Sequence, residues 1–249
     1  MRRAYDKIDY VQISSAQPSA SAAVLALIPA YNEAAHIGGV VRAARQYLPV
    51  LMIDDGSTDD TAAQASAAGA QVLVQQPNQG KGAALLRGFS AALEQRTQAV
   101  ITLDADGQHD PAEIPAFLQR WRLTGADLII GRRNFRQMPA VRRLSNTLGT
   151  ALFSWAAGQP IADNQSGYRL ISRKLMRLLV EQPGRERGFE FEVEMIVRCI
   201  QHNLKMDWVD IRTIYADEKS HIRPLAHLAG FLQVCWRTHK ILSERERKA

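Results

Sequence analysis

Two carboxylates one residue apart near the middle of the chain have a spacing that can bind a hard cation. Asp104 and Asp106 follow the apolar run at 99–103, and Gln108 comes shortly after them. Both carboxylates can reach one divalent ion from the end of a strand, and the Gln108 carbonyl can add an oxygen ligand. An Asp-X-Asp triplet alone is weak evidence because surface turns often contain one. The motif therefore needs support from the segments around it.

A second acidic segment follows another apolar run. Asp54 and Asp55 come directly after the run at 50–53. Their carboxylates can accept hydrogen bonds from a base N–H or from ribose hydroxyls. The alternative interpretation is local, with Ser57 or Asp59 capping the helix that follows.

A basic segment follows a third run. Arg132 and Arg133 come after 128–130, and a planar guanidinium fork matches phosphate oxygens, although a solvated basic turn would look the same. No acidic residue occurs between Leu128 and Ala162, while the formal net charge of the chain is +6. This block favours anionic ligands, namely diphosphate, lipid headgroups or nucleic acid.

Short apolar runs alternate with helical spacing over the first half of the chain. The runs lie at 24–28, 50–53, 72–74, 99–103 and 128–130. Such alternation predicts βαβ units and an α/β fold with a mostly parallel sheet covered on both faces. Ligands bind beyond the carboxyl ends of such strands, so the polar segments are expected to meet at one site.

The pattern changes beyond residue 145. It predicts helices at 148–156, 189–202 and 225–242 and a late strand at 205–215. No linker divides the chain into independent units. We expect a flexible N-terminal tail over 1–22, a catalytic domain over 23–224, and a C-terminal amphipathic helix with a charged tail over 225–249.

Composition favours a folded cytoplasmic protein. The hydrophobic fraction is 46% and the charged fraction 22%, and the two cysteines lack metal-ligand spacing, which favours reduced thiols. No apolar run reaches the roughly 18 residues of a membrane span, and the polar start lacks a signal core. The Asn-Gln-Gly-Lys-Gly segment at 78–82 lacks P-loop spacing, and no Gly-x-Gly-x-x-Gly follows a strand, which excludes NTPase and dinucleotide-binding classes. Its glycines are expected to allow a tight helix entry.

Taken in order, these motifs resemble the family 2 glycosyltransferases of GT-A fold, particularly the branch of polyprenol-phosphate (dolichyl-phosphate) mannosyl- and glucosyltransferases. The matching segments are Pro-Ala-Tyr-Asn-Glu at 29–33, Asp-Asp-Gly-Ser-Thr-Asp at 54–59, Asn…Gly-Lys-Gly at 78–82, Asp-Ala-Asp-Gly-Gln-His at 104–109, Gly-Arg-Arg at 131–133 and Asp-Asn-Gln-Ser-Gly-Tyr-Arg at 163–169. The resemblance implies a three-layer α/β/α fold, that of the nucleotide-diphospho-sugar transferases.

The resemblance also implies roles for individual residues. The donor-binding set comprises Pro29, Tyr31, Glu33, Asp54, Asp55, Lys81, Asp104 and Arg133. Mg²⁺ or Mn²⁺ would be bound by Asp104, Asp106 and Gln108 together with the diphosphate. Arg133 would contact a donor or acceptor phosphate. The catalytic set comprises Asp163, Arg133 and Asp106.

The identity of a catalytic base stays open at this point, because an anionic lipid phosphate could attack without one, whereas a hydroxyl acceptor would need one. Asp163 is the first candidate for such a base. Glu190, Glu192 and Glu194 compete, although helical spacing puts them partly on a solvated face, and His221 is a weaker candidate.

The sequence departs from the family pattern in two places. Relatives acting on polyprenyl phosphates often have a Ser-Lys pair late in the catalytic domain, where this chain offers Lys219, His221 or Arg223 instead. Many relatives also have C-terminal transmembrane helices, which this sequence lacks. Both departures leave the acceptor undetermined.

We therefore expect a metal-dependent, inverting hexosyltransferase that uses a UDP- or GDP-sugar and a lipid-linked or other acceptor at the cytoplasmic membrane face. The helices at 148–156 and 225–242 could contact that membrane peripherally, or their apolar faces could pack on the core. The alternatives are a nucleotidyltransferase that makes a nucleotide sugar, or a basic nucleic-acid-binding protein. A nucleic-acid-binding protein would need a stacking motif of aromatic residues interleaved with the basic block. The sequence shows no such motif, so no nucleic-acid partner is expected.

Overall fold

A single mixed sheet organises the protein. The computed structural model describes residues 23–135, 138, 140–183, 191–212 and 224–246. The seven strands are β1 (Val24–Ala30), β2 (Val50–Asp54), β3 (Gln71–Val74), β4 (Ala99–Thr102), β5 (Leu128–Arg133), β6 (Arg169–Ser172) and β7 (Met206–Ile211). Their order is β3-β2-β1-β4-β6-β5-β7, and β6 runs antiparallel to both of its neighbours while all other pairs are parallel.

Eight helices cover the two faces of the sheet in the part of the chain that is described. They are α1 (Ala34–Ala44), α2 (Thr61–Ala67), α3 (Lys81–Glu94), α4 (Ile114–Thr124), α5 (Ala140–Ala157), α6 (Arg173–Glu181), α7 (Phe191–Gln201) and α8 (Pro224–Glu246). Helices α1, α2 and α4 enclose one apolar core, and α3, α5, α6, α7 and α8 contribute to the other. The expected three-layer α/β/α architecture is confirmed.

Strand β1 is apolar along its whole length because both of its faces are buried. Ala26 and Ile28 belong to the core under α1, whereas Leu25 and Leu27 belong to the core under α3. Successive side chains of a strand point to opposite faces, so a strand buried on both faces has no polar position to alternate with.

The sequence-based elements correspond to observed ones, with two omissions and one correction. Strand β6 and helix α6 were not predicted. The predicted capping of α2 by Ser57 or Asp59 is wrong in the N-cap position, which Asp60 occupies, although Asp59 Oδ1 does accept the N–H of the first helical residue, Thr61, at 3.1 Å. The end of the late strand at 213–215 and the first two residues of the helix predicted at 189–202 lie outside the described residues.

The C-terminal helix α8 packs against α5, and its Cys235 is buried in the larger core. Across the described ranges, no helix combines the length and apolar character needed to cross a membrane.

Candidate active site

The polar segments meet at the carboxyl edge of the parallel strands, as expected. The loops that follow β1, β2, β4 and β5 leave the sheet at this edge. Because β6 is antiparallel, its first residue also lies there, with Arg169 opposite Thr102 of β4. The loop before β6 therefore joins the loops that follow the other strands.

Asp55 connects the loop after β2 to the loop after β3. Its buried carboxylate accepts hydrogen bonds from Gln75 Nε2 at 2.6 Å and from the backbone N–H groups of Gln79 and Gly80, both at 2.8 Å. Gly80 precedes α3 with a φ of +90°, a conformation open to glycine, so the predicted tight helix entry is confirmed. Asp54, the last residue of β2, accepts hydrogen bonds from the backbone and hydroxyl of Ser57.

Asn32 links the loop after β1 to the loop after β2, a role that sequence reasoning missed. Its N–H donates to Ser57 Oγ at 2.9 Å, and its side-chain carbonyl accepts from the Thr58 N–H at 2.8 Å. Its φ is +56°, which asparagine tolerates better than most residues. An asparagine directly after a strand was the available signal.

The predicted nucleoside-binding residues of this region have different exposures. Pro29 is buried within β1, Glu33 is half-buried, and the Tyr31 ring is 48% exposed at the rim.

Lys81 lies between two carboxylates from distant parts of the chain. Its ammonium is 2.6 Å from Asp104 Oδ1 and 2.9 Å from Glu192 Oε1. Glu192, on α7, is only 3% exposed. The expectation that helical spacing puts Glu192 partly on a solvated face is therefore wrong, because α7 turns this residue toward the start of α3.

The contacts of Lys81 with Asp104 and Glu192 determine the protonation states of Lys81 and Asp104. Burial raises the pKa of Asp104, but the ammonium of Lys81 opposes it, and the pKa is held at about 2. Burial likewise works against the charge of Lys81, yet Asp104 and Glu192 raise its pKa above the ordinary lysine value. The site therefore holds a carboxylate and an ammonium in contact.

His109 supports this loop as a neutral ring. Its Nδ1 accepts the Asp104 N–H at 3.1 Å, and the ring lies 5.0 Å from the ring of Tyr168. Burial is the main cause of a lowered pKa for His109. Histidine at this position shapes the turn that presents the two aspartates.

The three predicted metal ligands all lie in the half-buried loop after β4. Asp106 Oδ1 accepts the Gln108 N–H at 2.9 Å, which fixes the direction of the Asp106 carboxylate. Within the described residues, no group of three or more His, Cys, Asp or Glu side chains is placed to hold a metal ion. The predicted oxygen donors are the carboxylates of Asp104 and Asp106 and the amide carbonyl of Gln108.

Arg133 and Asp163 form a bidentate ion pair. Arg133 Nε is 2.7 Å from Asp163 Oδ2, and Nη2 is 2.9 Å from Oδ1. The Asp163 carboxylate is fully buried and also accepts the N–H groups of Gln165 and Ser166. With both oxygens accepting hydrogen bonds, this carboxylate holds Arg133 in a fixed orientation.

Arg169 fixes the loop between Asp163 and β6 from inside the protein. Its fully buried guanidinium donates to the backbone carbonyls of Asn164, Ser166 and Glu192. An ideal Cβ built on Gly167 would lie 2.9 Å from Lys81 Nζ and 3.0 Å from Asp104 Oδ2. Glycine is therefore the residue that lets this loop approach the ion pair.

A cavity of about 1110 Å³ opens beside Arg133, and Asp110, Phe135, Ala162 and Arg212 are among its lining residues. Arg132, also at its edge, forms an exposed bidentate pair with Asp210, with 2.6 Å between Arg132 Nε and Asp210 Oδ1. Of the two adjacent arginines, Arg133 is thus the one directed into the body of the site.

Among the remaining predicted candidates, Glu194 is the one that the structure describes. Glu194 pairs with Arg198 on the same helix at 3.2 Å, and 10% of its side chain is exposed, so it is partly solvated as expected. Glu190, Lys219, His221 and Arg223 lie outside the described residues.

Comparison with known proteins identifies relatives of this arrangement. The family model described as Glycosyl transferase family 2 matches residues 26–179. The UDP-N-acetylglucosamine–dolichyl-phosphate N-acetylglucosaminyltransferase of Methanococcus voltae is 28% identical over 230 residues, covering 82% of this chain and 90% of that protein. The undecaprenyl-phosphate mannosyltransferase of Micrococcus luteus is 30% identical over 191 residues, covering 70% of this chain and 76% of that protein.

Solved structures agree on the fold. Glucosyl-3-phosphoglycerate synthase from Mycobacterium tuberculosis, in complex with uridine diphosphate, superimposes with a TM-score of 0.63 at 26% identity. The match covers 85% of this chain and 79% of that one.

Proposed function

The chain belongs to the family 2 glycosyltransferases, and from that premise we propose that it transfers a sugar from a UDP- or GDP-sugar to a lipid-linked or other acceptor at the cytoplasmic face of a membrane. The observation that carries the proposal is the contact of Lys81 with Asp104, 2.6 Å apart, at the edge where five loops meet. An ammonium and an acidic loop together offer both direct and cation-mediated contacts to a diphosphate.

The loops after β1 and β2 form the nucleoside side of the proposed site. Asn32 joins these two loops, Asp55 joins the second of them to the loop after β3, and the exposed Tyr31 ring is available to stack on a base. Pro29, Glu33 and Asp54 complete the proposed nucleoside contacts. The Methanococcus voltae relative is named for a UDP-sugar, and the Mycobacterium tuberculosis structure is a complex with uridine diphosphate, which makes UDP-sugars the first donors to test.

Asp104, Asp106 and Gln108 are the proposed ligands of Mg²⁺ or Mn²⁺. Their oxygens match a hard cation, and such cations take about six oxygen ligands, so the donor diphosphate and water would complete the set. When bound, the cation supplies positive charge that stabilises the departing nucleoside diphosphate. Because Lys81 already neutralises Asp104, we assign the stronger cation contact to Asp106.

Arg133 is the proposed contact for an acceptor or donor phosphate. It lines the 1110 Å³ cavity, and its fork is held by Asp163. The buried, fully bonded carboxylate of Asp163 favours this positioning role over that of a general base. An acceptor phosphate is anionic and needs no base, and its direct attack opposite the diphosphate would invert the sugar configuration.

The proposed catalytic domain spans residues 23–224. The proposed C-terminal unit over 225–249 is mostly α8, which packs on α5 beside the loop that holds Asp163.

The direct test combines ligand binding with transfer. Thermal melting with a panel of UDP- and GDP-sugars plus Mn²⁺ is expected to give a rise of about 5–10 °C for the true donor at saturation. Asp106→Ala is expected to abolish transfer and donor hydrolysis. The matched control is Glu94→Ala. It removes an exposed carboxylate at the C-terminal end of α3, about 20 Å along the helix from Lys81.

Full activity of Asp106→Ala with metal present would overturn the proposal, as would the absence of any nucleotide-sugar that raises the melting temperature. The configuration of the product at the anomeric carbon, read by NMR, separately tests inversion.

A further inference from the structure

Helices α5 and α8 present an apolar surface that the core does not account for. Five of the eight exposed large hydrophobic residues in the described chain lie on this pair, namely Leu144, Leu148, Trp155, Leu232 and Trp236. We call these five residues the α5/α8 patch. The inward faces of the same helices supply Phe153, Ala156 and Cys235 to the core, so packing within the domain is already satisfied by other side chains.

The patch is one continuous surface. Leu144, Leu148 and Trp155 follow one another at helical spacing along the outer side of α5, and Leu232 and Trp236 do so on α8. The two helices pack together, and the Trp155 ring stacks on His239 of α8 with 4.5 Å between ring centroids. Trp155 and Trp236 are each at least 60% exposed, although burying a tryptophan ring is strongly favourable.

The charge around the patch has one sign. Neither residues 140–157 nor residues 224–243 include an aspartate or glutamate. Arg143 and Lys240 are exposed beside the patch, and the Lys240 ammonium lies 5.6 Å from the centre of the Trp236 ring. Leucines and tryptophans bordered by lysine and arginine are the combination that lies in the headgroup region of an anionic bilayer.

A second copy of the chain fits this surface poorly. In a two-fold dimer the same patch meets itself, which would bring Arg143 and Lys240 of both copies together, whereas the carboxylates of the two helices, Glu244 and Glu246, occur only at the C-terminal end of α8, beyond the patch residues in sequence. An anionic lipid surface offers both the apolar layer and the opposite charge.

From this surface we propose that the α5/α8 patch docks the protein on an anionic lipid bilayer. The docking itself does not depend on the proposed function. The purpose of the docking, to bring the active site to a lipid-anchored acceptor, does rest on that function. The inner side of α5 holds the active-site loop, because Thr150 Oγ1 donates to Asn164 Oδ1 at 3.1 Å and Ser154 exchanges hydrogen bonds with Ile161. The site loop is thus about one helix diameter, ~10 Å, from the headgroups, within reach of a lipid-anchored acceptor.

Sedimentation of the full chain with vesicles tests the proposal. We expect binding to phosphatidylcholine vesicles that contain phosphatidylglycerol, little binding to pure phosphatidylcholine, and release at high salt. Leu148→Glu combined with Trp236→Glu is expected to weaken binding on the order of tenfold or more. Leu123→Glu is the control for each of the two single substitutions, because Leu123 is 74% exposed on α4, away from the patch, and each change adds one negative charge.

Tryptophan fluorescence tests the docking on the wild-type chain. Brominated lipids within the vesicles are expected to quench Trp155 and Trp236. Failure of the wild-type chain to bind phosphatidylglycerol vesicles would overturn the proposal, and so would unchanged binding of the double variant. A wild-type dimer by light scattering that the double variant abolishes, without vesicle binding, would assign the patch to a second copy instead.

The vesicles contain neither donor nor acceptor. A chain that binds them but transfers no sugar would therefore contradict the proposed function alone, and a chain that transfers sugar without binding vesicles would contradict the docking alone.

Discussion

Lys81 and Glu192 join the start of α3 to α7 through an ion pair of 2.9 Å, and Glu192 has almost no exposure to solvent. The pair connects the two halves of the chain directly beneath the acidic loop that presents Asp104. An ion pair of this kind contributes little net stability over a well-packed apolar pair, but removal of Glu192 takes away one of the two carboxylates that compensate the charge of Lys81.

Glu192→Ala is therefore expected to destabilise the protein by about 3 kcal/mol in urea-induced unfolding. The matched control is Asp210→Ala, because Asp210 pairs with Arg132 at the surface and its loss is expected to cost under about 1 kcal/mol. Equal losses in the two variants would contradict a structural role for the buried pair.

Arg133 and Asp163 are expected to act as one unit in transfer. Asp163→Asn leaves the guanidinium without its bidentate partner, and Arg133→Lys replaces the fork with a point charge, so each is expected to lower kcat/KM on the order of a hundredfold. In a double-mutant cycle the combined variant is expected to lose little more than either single one. Additive losses would mean that the two residues act independently.

Gly167→Ala is expected to separate activity from stability. The added Cβ would press on the ends of the Lys81 and Asp104 side chains, which can move, so the fold is expected to survive while kcat/KM falls on the order of tenfold. Gly39→Ala is the control: it meets open space in α1 and is expected to stabilise the protein by about 0.5–1 kcal/mol with unchanged activity. Wild-type kinetics in Gly167→Ala would show that the ion pair tolerates displacement.

Chelation of divalent cations by EDTA is expected to stop sugar transfer and leave the melting temperature of the donor-free protein unchanged. The reason for the second expectation is that Lys81 already neutralises Asp104 in the folded chain. Added Mn²⁺ or Mg²⁺ is expected to restore transfer, whereas NaCl at equal ionic strength is not. Undiminished transfer after exhaustive chelation would contradict the metal assignment.

The first five strands could be predicted because each is a compact apolar run followed by a polar loop. Strand β6 could not, since its short apolar centre is flanked by Arg169 and Ser172 and it directly precedes α6. Its antiparallel insertion between β4 and β5 also has no local signature, because strand pairing is a property of the assembled sheet.

For the site, the sequence motifs identified the segments that converge but not how their side chains pair. Asp163 is at the predicted place, yet its hydrogen bonds to Arg133 and to the loop backbone are visible only in three dimensions. Glu192 was interpreted as partly solvated because helical spacing shows which residues share a face, not which face is covered. Its partner Lys81 comes from a remote helix.

The antiparallel strand β6 separates active-site loops that come from two different parts of the sequence. The rim loops that lie on the β1 and β2 side of β4 come from residues before 110, and those on the other side come from residues after 130. Enzymes with exchanged acceptor preference could therefore be built as chimeras joined within α4. Such chimeras must keep a carboxylate at position 192 and a glycine at position 167, because the Lys81 of one parent has to fit the α7 and the β6 loop of the other.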